Sequence, residues 1–282
     1  MLRARLTPAR RAALLWRAAT APLRSLPDFL IIGAQKGGTT TLYETLCRHP
    51  NVAKASRKEV HYFEGRDYRR GTMWYRAHFP TAIYRSFSGR RLTGEATPLM
   101  HHVRPPQRIA ALMPHVKLIA LLRNPVDRAF SHYHKNVRRG AESLSFEDAI
   151  AAEPKRLEGE LERTVADEDY TSDAYSVFSY LARGVYVDQL RRWLEWFPRE
   201  QLLVLKSEDF FADPARTYGQ VLEFLGLPGV PLQLETRNVG GYGDDLSAAT
   251  RAALAAYFRP HNQRLYELLG RDLGWDEPLH PG

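Results

Sequence analysis

Three short stretches carry residues whose types and spacing suit anion binding and proton transfer. The first is Gly33-Ala34-Gln35-Lys36-Gly37-Gly38-Thr39-Thr40. Its glycine pair lets backbone approach an anion closely, Lys36 adds a full charge, and Thr39 and Thr40 add hydroxyl donors. The second is Arg123-Asn124-Pro125-Val126-Asp127-Arg128-Ala129-Phe130-Ser131. Arg123 offers a guanidinium fork and Ser131, two helical turns on, a hydroxyl; together they suit a second phosphate. A surface pair between Arg123 and Asp127 is the plainer alternative. The third is Lys58-Glu59-Val60-His61-Tyr62-Phe63. In extended backbone Glu59, His61 and Phe63 project to one side. That places a carboxylate beside an imidazole, either as a tuned acid–base pair or as a surface glutamate next to a packing histidine. A further pair, His101-His102, has side chains that point apart and no evident third ligand, so no metal site is expected.

The elements around these stretches explain how they come to be presented. Asp28 to Gly33 reads as a buried strand, followed by a glycine turn and a helix from about Thr39 to Arg48. A helix start there aims free N–H groups and the positive end of the helix dipole at a bound anion. The loop is not a Walker A loop, because its lysine precedes the glycine pair instead of standing directly before Ser/Thr. Lys117 to Leu122 is a second buried strand, and Asn124-Pro125 caps a helix running to about Arg138. Both anion motifs thus stand at carboxyl ends of strands, where open α/β sheets bind ligands. Leu92 to Glu95 and Gln201 to Leu205 add strands. Pro105 to Met113, Gly184 to Phe197, Asp213 to Leu225 and Leu246 to Leu269 add helices. Strands alternating with helices predict an α/β domain with a central parallel sheet. The charged stretch Glu142 to Tyr180 is an insertion with helical pieces, suited to a lid or an acceptor-facing wall.

With 282 residues, 44% hydrophobic and 26% charged, the chain has the composition of a folded α/β domain rather than a disordered one. No stretch approaches the roughly 18 to 20 unbroken apolar residues of a membrane helix. The single cysteine, Cys47, rules out an intrachain disulfide and a Cys-based zinc site, and suits a cytoplasmic setting. The net charge of +8 is concentrated in one arm. Residues 1–27 hold six arginines and no acid; the remainder carries 34 basic against 32 acidic residues. The organisation expected is a basic arm over 1–26, helical or disordered, and one domain over 27–282. The arm suits a solvated extension or contact with an anionic membrane, and no specific nucleic-acid partner is expected.

From about Pro27 to Trp275 the chain resembles the sulfotransferase family that uses 3'-phosphoadenosine 5'-phosphosulfate (PAPS), especially its heparan-sulfate-type and bacterial branches. Pro27 to Thr40 is similar to the family's 5'-phosphosulfate loop, Leu121 to Ser131 to its 3'-phosphate motif, and Glu59 to Phe63 to the segment with its catalytic glutamate. Gly94-Glu95-Ala96-Thr97-Pro98 fits the bacterial members, and Val239-Gly240-Gly241-Tyr242 resembles a loop that closes over the nucleotide. The resemblance implies a P-loop-like three-layer α/β/α fold and metal-independent, in-line transfer of a sulfuryl group from PAPS to an acceptor hydroxyl, with a carbohydrate as the first choice. It implies that Lys36 neutralises the leaving phosphate, that Gly37, Gly38, Thr39 and Thr40 hold it, and that Arg123, Ser131, Gly240, Gly241 and Tyr242 bind the 3'-phosphate end. Glu59 takes the acceptor proton; His61 orients it, orients the acceptor, or serves as base instead. Where the heparan enzymes carry basic residues beside the loop lysine and in the Glu-Xaa-Thr-Pro motif, this chain has Gln35 and Ala96, which argues against heparan itself. Two other classes compete with this reading: a P-loop nucleotide kinase or ATPase, and a non-catalytic polyanion-binding module.

Overall fold

Apolar side chains alternate between two buried faces along each central strand, and that alternation sets the layers. The computed structural model describes residues 8–231 and 246–276. Five strands, β1 (Phe29–Gly33), β2 (Val52–Lys54), β3 (Leu92–Ala96), β4 (Lys117–Leu122) and β5 (Leu202–Lys206), form one all-parallel sheet in the order β2-β3-β1-β4-β5. Leu30 and Ile32 of β1 face one helical layer; Phe29 and Ile31 face the other. A parallel sheet buried on both faces needs the near-continuous apolar runs that β1 and β4 show.

Thirteen helices are described: α1 (Pro8–Ala19), α2 (Thr39–Leu46), α3 (Gly71–Arg76), α4 (Ala82–Phe87), α5 (Pro105–Leu112), α6 (Pro125–Arg138), α7 (Phe146–Leu157), α8 (Glu160–Ala166), α9 (Asp173–Phe178), α10 (Tyr186–Leu194), α11 (Ser207–Ala212), α12 (Pro214–Leu225) and α13 (Ala248–Leu269). On one face of the sheet α10 and α13 pack through Leu190, Trp193 and Leu265, with Tyr62, Phe63, Tyr75 and Phe79 beside them. On the other, α2 and α12 pack through Leu42, Leu46, Val221 and Leu222. The three-layer α/β/α arrangement expected from the strand–helix alternation is therefore present. The expected strand and helix positions agree to within a few residues, and the carboxyl-terminal stretch forms one helix, α13. The insertion Glu142 to Tyr180 contains α7, α8 and α9, the first capped by Ser145 accepting from Asp148 N–H and the last by Ser172 accepting from Tyr175 N–H.

Ahead of the sheet, α1 is helical and its last turn is tied to the body. Arg17 Nη1 donates to Ala77 O at 2.8 Å, and buried Arg24 donates to Phe79 O at 2.7 Å. Gly240, Gly241 and Tyr242 lie outside the described residues.

The sheet order places β1 between β3 and β4, so the chain leaves β1 toward one side and later returns on the other. The crevice at such a reversal, at the strands' carboxyl ends, is where a ligand fits. Two backbone contacts hold its floor together: Ala34 N–H donates to Leu121 O at 2.8 Å, and Gly37 N–H donates to Ala34 O at 3.0 Å. A Cβ at position 37 would stand 2.3 Å from Leu121 O, so only glycine lets the loop lie this close to β4. Gly37→Ala is expected to cost about 1–3 kcal/mol of stability, as overpacking against fixed backbone does. Gly65→Ala, where the added carbon meets nothing nearer than Thr171 Oγ1 at 3.8 Å, should stay within about 0.5 kcal/mol. Urea denaturation of both variants checks the contrast; equal losses would contradict the steric role of Gly37.

Candidate active site

The loop after β1 ends in α2, whose first helical backbone bond is Leu42 N–H to Gly38 O. The N–H groups of the first turn are left over by helix geometry and point out of the helix start. Gly38 has φ +95°, which glycine adopts without strain, and Lys36 has φ +72°, which costs a lysine about 1–2 kcal/mol. A strained lysine held by well-packed surroundings is a feature of functional loops. Ser207 Oγ donates to Gly37 O at 2.9 Å and anchors the loop from the β5 side.

A cleft of about 840 Å³ opens above these strand ends. Lys36, Gly38, Thr39, Thr40, Glu59, His61, Arg123 and Ser131 all line it. The Gly37 N–H donates to Ala34 O. Beside the phosphate contact that the resemblance implies for it, Gly37 has a steric role, since a Cβ there would meet Leu121 O. Arg123 Nη1 approaches Lys36 O at 3.5 Å, so the two anion motifs meet. The alternative surface pair of Arg123 with Asp127 does not form; Asp127 instead pairs with Arg251 at 2.8 Å. The helix α6 starts as expected, with Asn124 Oδ1 accepting from Val126 N–H at 3.0 Å.

The third motif forms a charged cage on the same cleft. Lys58 Nζ donates to Glu59 Oε1 at 2.9 Å and to Thr40 Oγ1 at 2.6 Å, which ties Glu59 to the start of α2. His61 Nε2 lies 3.3 Å from Glu59 Oε2, and His61 Nδ1 lies 2.5 Å from Glu64 Oε1. With a carboxylate at each ring nitrogen the imidazole is held doubly protonated. The His61 hydrogen bond, helped by Lys58, brings the Glu59 carboxyl down to about 2. The bonds from Glu59 and then Glu64 raise His61 to about 9. His61 achieves this with φ +57°, which breaks the simple alternation. Phe63 accordingly turns inward with Val60 and Tyr62 instead of sharing a side with Glu59.

Behind the cage stands a fully buried carboxylate, Glu95. Its Oε2 accepts from Val60 N–H at 3.1 Å and from Thr97 Oγ1 at 2.7 Å, and its Oε1 accepts from Tyr75 Oη at 2.6 Å. The residue between Glu59 and His61 is thereby fixed from the core. Burial pushes Glu95 up to about 7 despite these three donors.

Several neighbours carry no obvious sequence signal. Arg183, 4% exposed, donates from Nη1 to Gln35 Oε1 at 2.9 Å, from Nε to Ser179 Oγ at 2.7 Å, and from Nη2 to two carbonyls of α9. It links the insertion to the loop beside Lys36 across 148 residues. Lys135 lines the cleft one turn beyond Ser131, a spacing that does place it on the same helix face. Burial and then the neighbouring Arg139, Arg183 and Lys36 bring its ammonium down to about 8. Phe211, 46% exposed, lies against Gly38 and offers an aromatic face to the cleft. His101 and His102 lie with ring centroids 3.9 Å apart rather than pointing apart, and burial followed by Arg183 pushes both well down. Among the described residues no group of three or more His, Cys, Asp or Glu is placed to hold a metal ion.

The cage has a definite pH signature. His61 sits above its ordinary 6.5, so its contribution to stability is full below pH 6.5 and is lost as pH rises through about 9. Glu59 has the opposite sign: its contribution is present above pH 4.5 and is lost as pH falls toward about 2. The side chains of Glu59 and His61 are 42% and 45% exposed, so solvent screening keeps both contributions small. The direct observable is titration. The His61 ring resonances should titrate at about 9 by NMR and fall toward 6.5 in Glu59→Gln. A native value of 6.5 would contradict the cage.

Comparison with known proteins places this geometry. The sulfotransferase domain family matches residues 26–237. Human heparan sulfate glucosamine 3-O-sulfotransferase 6 is 31% identical over 277 residues, covering 89% of this chain and 74% of that protein. The membrane-associated sulfotransferase kil1 of Dictyostelium discoideum is 29% identical over 320 residues, covering 90% and 67%. Among solved structures, a sulfotransferase from Alicyclobacillus acidocaldarius superposes with a TM-score of 0.67 at 30% identity, covering 90% of this chain and 100% of that one. With its cleft at the carboxyl ends of a five-stranded parallel sheet, the chain belongs to the sulfotransferase domain family and is a sulfotransferase of the EC 2.8.2 type.

Proposed function

We propose that this PAPS-dependent sulfotransferase moves the sulfuryl group to a hydroxyl of a carbohydrate acceptor, with Glu59 as base and no metal ion. One observation carries the reading: the lysine–glycine loop and Arg123 converge on one cleft from adjacent strand ends, so that two cationic anion-binding motifs face one ligand. The carbohydrate choice draws on the relatives, one of which acts on heparan sulfate glucosamine. Gln35 lines the cleft where the heparan enzymes carry a basic residue, which favours an acceptor less anionic than heparan, whereas Ala96 is buried in the core. Cys47 is the single thiol of the chain, which fits a reducing, cytoplasmic setting.

In the proposed step the acceptor oxygen forms a bond to sulfur as the bond from sulfur to the 5'-phosphate oxygen breaks. The leaving group is adenosine 3',5'-bisphosphate, and the acceptor proton passes to Glu59. Charge grows on the bridging oxygen, where Lys36 and the first-turn N–H groups of α2 from Gly38 to Thr40 stabilise it. Arg123 and Ser131 hold the 3'-phosphate. The doubly bonded His61 suits an orienting cation rather than a base, because its proton is shared by two carboxylates. A low Glu59 carboxyl favours the ionised form at every working pH; as an acceptor of the proton it must gain basicity when substrate separates it from Lys58 or His61.

The kinase alternative predicts different ligands. In a thermal-shift experiment, adenosine 3',5'-bisphosphate with EDTA should raise Tm well above 5'-AMP, and in separate samples without EDTA Mg-ATP should have no advantage over the bisphosphate. A preference for Mg-ATP would overturn the reading. Arg123→Ala should erase the advantage of the bisphosphate over 5'-AMP; equal weakening of both would put the 3'-phosphate elsewhere. With isotope-labelled PAPS and a panel of sugar acceptors, Lys36→Ala should lose about 100-fold or more in kcat. Glu59→Gln should abolish transfer with bisphosphate affinity intact, and an equal loss of affinity would make Glu59 structural.

A further inference from the structure

Helix α4 makes no contribution to the core: none of its residues is buried. Three of its six residues are nevertheless large and apolar, with Ile83 61%, Tyr84 48% and Phe87 91% exposed. Nearby, α1 and the helical turn Ala21–Leu23 expose Leu15 at 72%, Trp16 at 68% and Leu23 at 59%. The segments are stitched together. Arg24 pairs with Thr81 in an isolated antiparallel bridge, Ser25 N–H donates to Pro80 O at 3.0 Å, and Arg17 reaches Ala77 O. Apolar side chains gathered this way and left uncovered mark a binding surface.

The charge of the same segments is one-sided. Residues 1–27 contain six arginines and no acid, and residues 82–91 contain Arg85, Arg90 and Arg91 and no acid. Arg85 is paired with Asp28, Arg17 donates to Ala77 O and Arg24 is buried, whereas Arg90 is half-buried and Arg91 is exposed. We infer that α1, the Ala21–Leu23 turn and α4 form a docking face for an anionic lipid bilayer, the apolar side chains entering the headgroup region and Arg90 and Arg91, just after α4, meeting lipid phosphates. A nucleic acid would account for the arginines but not for the exposed Leu15, Trp16, Ile83 and Phe87. A second copy of the chain would bring arginines against arginines. Leu23 leads into the amino end of β1 and Phe87 into the amino end of β3. The face therefore lies toward the end of the sheet opposite the cleft, and docking leaves the cleft open to acceptors.

Flotation of the full chain with vesicles tests this. The protein should float with phosphatidylcholine–phosphatidylserine vesicles and not with phosphatidylcholine alone, and the bound fraction should fall as salt rises. Ile83→Ser/Phe87→Ser should lower partition about tenfold or more, since each side chain leaves an apolar environment. Its Tm and its sulfation of a soluble acceptor should not change. Binding that ignores lipid charge, binding unaffected by the double variant, or no binding would overturn the inference. A dimer that the double variant dissociates, or capture by an oligonucleotide with no flotation, would overturn it equally.

Discussion

The close approach of two strand ends governs the rest of this molecule. Ala34 N–H bonds to Leu121 O, and Gly37 passes that same carbonyl at a distance no side chain allows. This brings Lys36 and the start of α2 beside Arg123, so two cationic motifs 87 residues apart in sequence face one cleft. Such positive charge repels itself in the absence of ligand and needs a rigid floor. The buried parallel sheet supplies it through β1 and β4, every residue of which is buried except Lys117 at the rim. An anionic ligand then meets donors already in place, with little reorganisation to oppose binding.

A second constraint works on the carboxylate side of the cleft. Glu59 is bound to the start of α2 through Lys58 and Thr40, and to the core through Val60 and Glu95. The start of α2 and Glu59 are therefore parts of one network rather than neighbours in a pocket. The Arg183–Gln35 bond extends it to α9, at the foot of the insertion. A change in the insertion can in this way be felt at Lys36 without touching the nucleotide.

How much of this is legible in the sequence depends on whether the cause is local. The loop after β1 and the capped helix after β4 can be read directly, because apolar runs, glycines and an Asn-Pro pair each dictate backbone within a few residues. The sheet and its helices follow from the same periodicities. The cage is only half legible. Glu59 and His61 stand two apart, but the positive φ of His61 redirects the chain so that Glu64 closes the cage and Phe63 turns into the core. No local pattern announces that turn. Lys135 follows Ser131 by one helical turn, yet its place in the cleft shows only once α6 is set against the sheet. Arg183 and Gln35, Glu95 and Val60, and Phe211 and Gly38 meet only through the tertiary fold. The short β2, α3 and α4 lack the length from which periodicity emerges.

The measurement that bears most directly on the central claim is a crystal structure with adenosine 3',5'-bisphosphate. The 5'-phosphate should lie against Lys36 and the first-turn N–H groups of α2 from Gly38 to Thr40, and the 3'-phosphate against Arg123 and Ser131, with the cleft edge at Glu59 left open for an acceptor. A nucleotide bound with both phosphates away from these two strand ends, or bound outside the cleft, would contradict the account.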